Sequence, residues 1–169
     1  MDCVENKLTA GNTIAIDPSV HTLYLAYRSG QYGLMLSAVP TFSLKALQNY
    51  FTMLRGLGFL YVVYESCYFG RNTKTYGKLF HTQETIRRVA TESGLIFGTV
   101  KPSSWQVPLL LQPGRKVTGI KRTEWKDMAR AYIATKFKSV PKSQDFCDAL
   151  CILQAVVTGV VKQLDFSGG

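Results

Sequence analysis

Two aspartates, Asp145 and Asp148, stand three positions apart at the start of a long apolar stretch. Residues at i and i+3 share one face of a helix, so a helix here would present both carboxylates on the same side. Burying two negative charges is costly unless a cation meets them, and a divalent metal ion would do so. The alternative is that Asp145 caps the helix and that Asp148 favours its positive N-terminal end.

Two further acids stand where predicted strands end. Asp17 follows the apolar run at residues 13–16 and precedes Pro18 and Ser19, which favour a turn. Glu65 ends the continuously apolar run at residues 59–64, which is typical of a strand buried on both faces. Because parallel strands bring their carboxyl ends to one edge of a sheet, we expect Asp17 and Glu65 to lie close together.

If the last helix packs against that edge, Asp145 and Asp148 complete a set of four carboxylates. Such acids repel one another, and without cations each would raise the pKa of its neighbours. Two Mg²⁺ ions about 3.5–4 Å apart would relieve the repulsion, activate a water and stabilise the leaving oxygen of a phosphodiester. Oxygen ligands suit a hard ion such as Mg²⁺ or Mn²⁺ and disfavour zinc or copper. The four acids therefore predict a two-metal hydrolytic site.

The hydrophobic pattern predicts the elements that would position these acids. Strands are expected at residues 13–17, 22–27, 32–39, 59–64 and 95–100. Helices are expected from a cap at Ser43 to Gly56 or Gly58, through residues 79–90 to Gly94, near 105–111, over 123–136 and over 145–161. The inner face of the first helix is expected to carry Leu44, Leu47, Phe51 and Leu54.

The order of these elements predicts the fold class. The first three strands form an antiparallel meander, and the two later strands are expected to run parallel to the first. Residues 66–75 are expected to form a loop beyond Glu65. The prediction is an α/β fold, with one mixed five-stranded sheet flanked by helices, in a single domain spanning residues 1–169.

Positive charge is concentrated in one part of the chain. The sequence has 20 Lys and Arg against 11 Asp and Glu, which gives a net charge of +9. Between residues 101 and 142, Glu124 and Asp127 are the acids, and the ten basic residues are Lys101, Arg115, Lys116, Lys121, Arg122, Lys126, Arg130, Lys136, Lys138 and Lys142. Such a surface favours a polyanion partner, because neutralising phosphates releases counterions. The alternative is a well-solvated surface without a partner.

Composition excludes several other classes of protein. With 46% hydrophobic residues, the 169-residue chain can bury a sizeable core. No signal peptide is apparent near Met1, and no apolar run reaches the roughly 18 residues that span a bilayer. Four cysteines without C-x-x-C spacing and two histidines give a zinc site too few ligands. We expect a soluble cytoplasmic protein with free thiols, no membrane partner and no small-molecule cofactor.

Three segments resemble the acidic motifs of RuvC-like Holliday-junction resolvases. They are residues 14–19, 63–65 and 145–150, which contain the four acids. The motifs occur in the family's order, with the expected elements between them and a basic segment before the last. The resemblance implies a ribonuclease H-like fold, a homodimer, two divalent ions, and symmetric nicking of four-way DNA junctions in recombination and repair. The compact chain resembles a phage member, which implies the cytoplasm of a bacterial or phage-infected cell.

The resemblance also implies roles for individual residues. The family's metal-binding carboxylates match Asp17, Glu65, Asp145 and Asp148. Arg122 falls where the family has a basic residue facing the scissile phosphate, Tyr68 where it has an aromatic near the junction centre, and Asn72 at a loop asparagine. The residues expected to bind DNA are Tyr68, Phe69, Arg71, Asn72, Lys74, Lys101, Arg115, Lys116, Lys121 and Arg122.

Three classes of function stay open. A junction-resolving endonuclease is the leading hypothesis. The others are another ribonuclease H-like nuclease, acting on RNA, hybrid, branched or duplex DNA, and a non-catalytic nucleic-acid-binding module. Trp105 and Trp125 are interpreted as core anchors. Cys67 and Cys147 are assigned to packing, since thiols are poor Mg²⁺ ligands.

Overall fold

Strands and helices alternate along the part of the chain that the structure describes. The computed structural model describes residues 8–31, 33–41, 43–67, 73–161 and 164–166. The strands are β1 (Thr13–Pro18), β2 (Thr22–Ser29), β3 (Gly33–Pro40), β4 (Tyr61–Glu65) and β5 (Ile96–Val100). The helices are α1 (Leu44–Gly56), α2 (Thr73–Glu92), α3 (Pro102–Leu110), α4 (Arg122–Lys136) and α5 (Gln144–Val157).

The strands form one mixed sheet in the order β3-β2-β1-β4-β5. β1, β2 and β3 are antiparallel neighbours, whereas β4 pairs in parallel with both β1 and β5. The predicted sheet, with a three-stranded meander and two parallel strands, is confirmed. The pairing of β1 with β4 sets Ile16 opposite Tyr64. Asp17 and Glu65, the next residue of each strand, therefore lie at neighbouring strand ends.

Apolar side chains on both faces of the sheet are buried under helices. Successive residues of a strand point to opposite faces. Ile14 and Ile16 belong to the cluster that packs under α1 and α2, whereas Ala15 and Val63 belong to the cluster under α3, α4 and α5. Asp17 stands two residues after Ala15, and Glu65 stands two residues after Val63. Both acids therefore share the face that α3, α4 and α5 cover.

Three helix boundaries lie several residues away from those predicted. α2 begins at Thr73, inside the segment predicted as loop. α3 begins at Pro102, whose fixed φ and missing N–H suit the first helical position. The predicted last helix ran to residue 161, but α5 ends at Val157, because Gly159 takes a positive φ of 73° that ends it.

The start of α1 follows the prediction with one exception. Ser43 is the N-cap, and its Oγ accepts a hydrogen bond from the N–H of Ala46. The predicted inner face is confirmed by the complete burial of Leu47, Phe51 and Leu54. Leu44 was predicted on that face but is 45% exposed, because it lines an open groove beside α2 and does not reach the core.

Cysteines in the described ranges are free thiols, as predicted. Cys147 and Cys151 are buried, and Cys67 is half-buried. The thiols of Cys147 and Cys151 donate to the carbonyl oxygens of Pro141 and Ala129, respectively. No helix of the described ranges is long and apolar enough to cross a membrane.

Candidate metal centre

Three aspartates from distant parts of the chain meet at the carboxyl edge of the sheet. Asp17 lies near the end of β1, and Asp145 and Asp148 lie at the start of α5. One carboxylate oxygen from each residue lies within 4.8 Å of the other two, and all three side chains are half-buried. α5 brings them together because it packs across β1 and β2 on the face that carries Asp17.

The N-terminus of α5 does not use Asp145 as its cap. The N-cap is Ser143, whose side chain makes no capping hydrogen bond, and Asp145 is the second residue of the helix. The alternative interpretation of Asp145 as a cap is therefore wrong. Asp145 and Asp148 still lie near the positive end of the helix dipole, which offsets part of their negative charge.

The structure brings together three of the four predicted carboxylates, whereas Glu65 lies beside Asp17 but outside the group whose oxygens are within 4.8 Å of one another. Glu65 is held by a separate contact. Its Oε2 accepts a hydrogen bond of 2.6 Å from Nε1 of Trp105. Among neighbouring charges, that of Glu65 raises the pKa of Asp17 the most, as expected from their neighbouring strand ends. Trp105 is 1% exposed, so its predicted burial is confirmed, whereas Trp125, also predicted to anchor the core, is half-buried and outside the core clusters. Its hydrogen bond to Glu65 was not anticipated from the sequence.

Gln144 makes a second contact that the sequence reasoning missed. Its Nε2 donates to Oδ1 of Asp148 at 2.9 Å and to the carbonyl oxygen of Lys126 at 3.2 Å. The pair Gln144 and Asp148 stands at i and i+4 of one helix, a spacing that favours such a bond and could have suggested it. Through these two bonds, Gln144 joins α5 to α4 and holds the Asp148 carboxylate.

Burial and mutual repulsion raise the pKa of the clustered acids. Burial raises the pKa of Asp17 well above its ordinary value, and the charges of Glu65, Asp148 and Asp145 raise it further. Burial raises the pKa of Glu65 to about 7, and the hydrogen bond from Trp105 opposes the change. Burial also raises the pKa of Asp148. A cation among these carboxylates would favour their ionised forms.

The donors in this cluster suit a hard divalent ion. Carboxylate oxygens are the ligand atoms that Asp17, Asp145 and Asp148 offer, and Glu65 stands next to them. Burial raises the pKa of the nearby Cys67 thiol to about 11, so it stays protonated at neutral pH. Oxygen-rich sites of this kind fit Mg²⁺ or Mn²⁺ better than softer metals.

Comparison with known proteins finds a likeness in structure. No family model and no curated protein matches the chain. The structure of Thermus thermophilus RuvC in complex with Holliday junction substrate aligns over 90% of this chain and 97% of that one, with a TM-score of 0.62 and 17% identity. A second T. thermophilus RuvC structure aligns over 90% and 98%, with a TM-score of 0.59 and 18% identity. The chain has a RuvC-like fold. The predicted ribonuclease H-like architecture is thereby confirmed.

In this RuvC-like fold, basic side chains of α4 lie near the acids. Arg122 and Lys126 stand at i and i+4, on one face of the helix. The charge of Lys126 lowers the pKa of both Asp17 and Asp148. The charge of Arg122 lowers the pKa of Glu65 and of Asp148. Positive charge therefore borders the acid cluster on the side that α4 covers.

The basic residues of the chain differ in their surroundings. Those expected to bind DNA and described by the structure are all exposed: Lys74, Lys101, Arg115, Lys116, Lys121 and Arg122. Arg115 forms an ion pair of 3.3 Å with Glu124, which offsets its charge. Arg130 donates to the carbonyl oxygens of Pro141 and Lys142, so it holds the segment before α5. The remaining expected residues lie outside the described ranges: Tyr68, Phe69, Arg71 and Asn72.

The raised pKa values predict how the metal-free protein responds to pH. A carboxyl group whose pKa is higher in the folded chain than in the unfolded chain destabilises the fold as pH rises between the two values. For Glu65 that window runs from 4.5 to about 7, and the loss is at most about 3 kcal/mol. In EDTA, we expect the free energy of unfolding to fall between pH 5 and pH 8. Chemical denaturation at both pH values measures this fall.

The expected controls separate Glu65 from other acids. Glu65→Gln should reduce the fall in unfolding free energy, because the amide carries no charge at either pH, and Asp17 and Asp148, whose pKa values are also raised, should account for the remainder. Glu92→Gln, at an exposed acid that ends α2, should leave the fall unchanged. Adding Mg²⁺ should restore stability at pH 8 and have little effect at pH 5. A wild-type protein that gains no stability from Mg²⁺ at pH 8 would contradict this account.

Proposed function

We propose that this protein is a structure-selective DNA endonuclease that resolves four-way junctions by metal-dependent hydrolysis of phosphodiester bonds. The observation that carries the proposal is the meeting of Asp17, Asp145 and Asp148 within 4.8 Å, at the carboxyl edge of a RuvC-like fold. T. thermophilus RuvC has been solved in complex with Holliday junction substrate. That complex supports a four-way junction as the substrate of this chain as well.

The proposed cofactor is a pair of Mg²⁺ ions, which Mn²⁺ can replace. The ligands would be Glu65 together with the three clustered aspartates. When bound, the two ions supply an activated water and stabilise the leaving oxygen of the phosphodiester. The protein holds the ligands in place through the contact of Gln144 with Asp148 and that of Trp105 with Glu65.

Arg122 and Lys126 are proposed to receive the scissile phosphate. Both stand on the face of α4 near the acids, and Arg122 is exposed. A guanidinium can bind two phosphate oxygens in a fixed geometry, whereas an ammonium acts as a compact charge. The exposed side chains of Lys101, Lys116 and Lys121 extend the positive surface away from the cluster. Such a surface would attract the DNA backbone and raise the association rate.

We propose that the working unit is a homodimer. The described residues contain a single cluster of three or more possible metal ligands. Resolving a junction requires two nicks at symmetric positions, and a two-fold dimer would place one cluster at each. The junction itself has approximate two-fold symmetry, so a symmetric pair of active sites matches it.

Two basic residues are predicted to act differently. Arg122→Ala should lower the cleavage rate more than it weakens binding, because Arg122 lies near Glu65 and Asp148. Lys116→Ala, in the exposed segment before α4, should weaken binding to every DNA substrate. Losing one phosphate contact should reduce the slope of log affinity against log salt by about 0.9. Single-turnover rates and binding titrations at several salt concentrations measure both effects.

Lys45→Ala provides the matched control for these variants. Lys45 is exposed on α1, across the sheet from the acid cluster. Its substitution should change neither the cleavage rate nor the salt slope. If Lys116→Ala gives the same salt slope as the wild type, Lys116 touches no phosphate.

A panel of substrates tests the proposed function. Four-way junctions, three-way junctions, duplex DNA and RNA–DNA hybrids would be incubated with Mg²⁺ or with EDTA. We expect cleavage of the four-way junction in Mg²⁺ alone, and much slower cleavage of the duplex. Preferential cleavage of the hybrid would support another ribonuclease H-like nuclease. Tight binding with no cleavage in Mg²⁺ or Mn²⁺ would support a non-catalytic binding module.

A further inference from the structure

The indole of Trp105 donates a short hydrogen bond to Glu65, the acid beside Asp17. Nε1 of Trp105 lies 2.6 Å from Oε2 of Glu65. Trp105 stands in the first turn of α3, and its side chain is 1% exposed. Buried tryptophans usually find a partner for their single N–H donor. Here the partner is a carboxylate at the candidate metal centre.

The surroundings of Trp105 leave its ring little freedom. It belongs to the cluster that packs α3 against α4 and α5, with Ile133 and Leu150 among its members. The donor therefore occupies a fixed position relative to the end of β4, which carries Glu65. A hydrogen bond from a fixed donor to a carboxylate is charge-assisted, and it selects one orientation of the acceptor. Oε2 of Glu65 is therefore held in one position by Trp105.

We propose that Trp105 is a positioning residue that orients Glu65 for metal binding. The inference rests on the proposed metal-dependent function. Trp105 would touch neither metal nor DNA and would act through the Glu65 carboxylate alone. Outer partners of this kind typically change metal affinity or activity by about 10- to 100-fold.

The hydrogen bond also offsets a cost of burying Glu65. Removing the donor would leave a buried carboxylate with one fewer partner, which favours other rotamers or the neutral acid. A neutral or rotated Glu65 would be a poorer ligand. Trp105→Phe removes the N–H and keeps most of the aromatic volume, so it separates this effect from packing.

The hydrogen bond can be observed directly by NMR of the indole N–H groups. The chain has two tryptophans, so ¹⁵N-labelled indole gives two resonances, and Trp125 serves as the internal control. Without metal, we expect the Trp105 proton to resonate far downfield and to shift strongly in Glu65→Gln. Adding Mg²⁺ should shift the Trp105 resonance more than that of Trp125. A Trp105 resonance that ignores both the substitution and Mg²⁺ would overturn the proposal.

Metal affinity tests the positioning role through a double-mutant cycle. Mn²⁺ binding, measured by electron paramagnetic resonance, should weaken about 10- to 100-fold in Trp105→Phe. Trp125→Phe should bind Mn²⁺ like the wild type. In the Glu65→Gln background, Trp105→Phe should cause no further loss, because the residue it acts through is already changed. If Trp105 served only in packing, Trp105→Phe would lower Mn²⁺ affinity equally in the wild-type and Glu65→Gln proteins, and this result would overturn the proposal.

The same experiment separates failure of this inference from failure of the proposed function. Wild-type Mn²⁺ affinity and wild-type junction cleavage in Trp105→Phe would overturn the role of Trp105 and leave the nuclease proposal standing. A wild-type protein that binds no Mn²⁺ would overturn both. Thermal unfolding of each variant in EDTA shows whether it folds, and the indole resonance in Glu65→Gln probes the same bond without altering Trp105.

Discussion

Asparagine in place of Asp17, Asp145 or Asp148 is expected to abolish Mg²⁺-dependent cleavage and leave DNA binding within a few-fold of the wild type. Each residue supplies an oxygen to the same cluster, within 4.8 Å of the others. The amide keeps the shape of the side chain and removes the charge that would hold a cation. Loss of a direct ligand should exceed the roughly 10- to 100-fold effect of losing an outer partner. The exposed basic side chains proposed to contact phosphate are unchanged in these variants.

The control for these variants is Asp127→Asn. Asp127 is an exposed acid of α4 that does not belong to the cluster. Its substitution should preserve cleavage, Mn²⁺ affinity and DNA binding. Single-turnover cleavage in Mg²⁺ and DNA binding in Ca²⁺ measure the two properties separately. Near-normal cleavage by Asp148→Asn would remove Asp148 from the site.

The same substitutions should stabilise the metal-free protein. Burial and neighbouring charges raise the pKa of Asp17 and Asp148, so ionising them at neutral pH costs folding free energy. Asp17→Asn should therefore unfold at a higher temperature than the wild type in EDTA at pH 8. A variant that gains stability while losing activity is the behaviour of a functional site whose charges are unfavourable without their ligand.

The second large effect is selectivity for branched DNA. One dimer is expected to bind one four-way junction at least about tenfold more tightly than a duplex of equal length. A junction offers two exchanging strands in a fixed relation, and the continuous path of a duplex is interrupted at its centre. A continuous duplex would first have to be bent or unstacked, at a cost of a few kcal/mol. Ca²⁺ in place of Mg²⁺ is expected to suppress cleavage while binding is measured.

Stoichiometry and affinity check this selectivity together. Analytical ultracentrifugation of the free protein and of its junction complex should show a dimer in both. Mobility-shift titrations at physiological salt should show that the protein binds the junction more tightly than a competing duplex. A monomer that binds junctions one-to-one, or equal affinities for junction and duplex, would contradict the resolvase proposal and favour the broader nuclease class.

The positions of the acids at the strand ends could be predicted, because they depend on the local hydrophobic pattern and on the parallel pairing of the two strands. Apolar runs located the ends of β1 and β4, and parallel pairing placed Asp17 beside Glu65. The i, i+3 spacing placed Asp145 and Asp148 on one face of α5. Asp145 and Asp148 could reach Asp17 only if α5 packed over β1. The sequence did not determine this packing, and the structure shows it.

The contacts that hold the acids could not be predicted in the same way. The bond from Trp105 to Glu65 depends on how α3 sits over the end of β4, and these residues are 40 positions apart. The pattern around Trp105 indicated burial but gave no partner for its N–H. The predicted end of α5 lies four residues too late, because the apolar residues Val160 and Val161 continue the hydrophobic run beyond Gly159.

The measurement that tests the central claim most directly maps every break in a four-way junction of fixed geometry. Each of the four strands carries its own label, and wild type and Asp145→Asn are compared in Mg²⁺ under single-turnover conditions. We predict two nicks, on opposite strands and at symmetric positions, made by the wild type alone. The proposed function would be contradicted if the wild type left all four strands intact in both Mg²⁺ and Mn²⁺, or if Asp145→Asn made the same nicks.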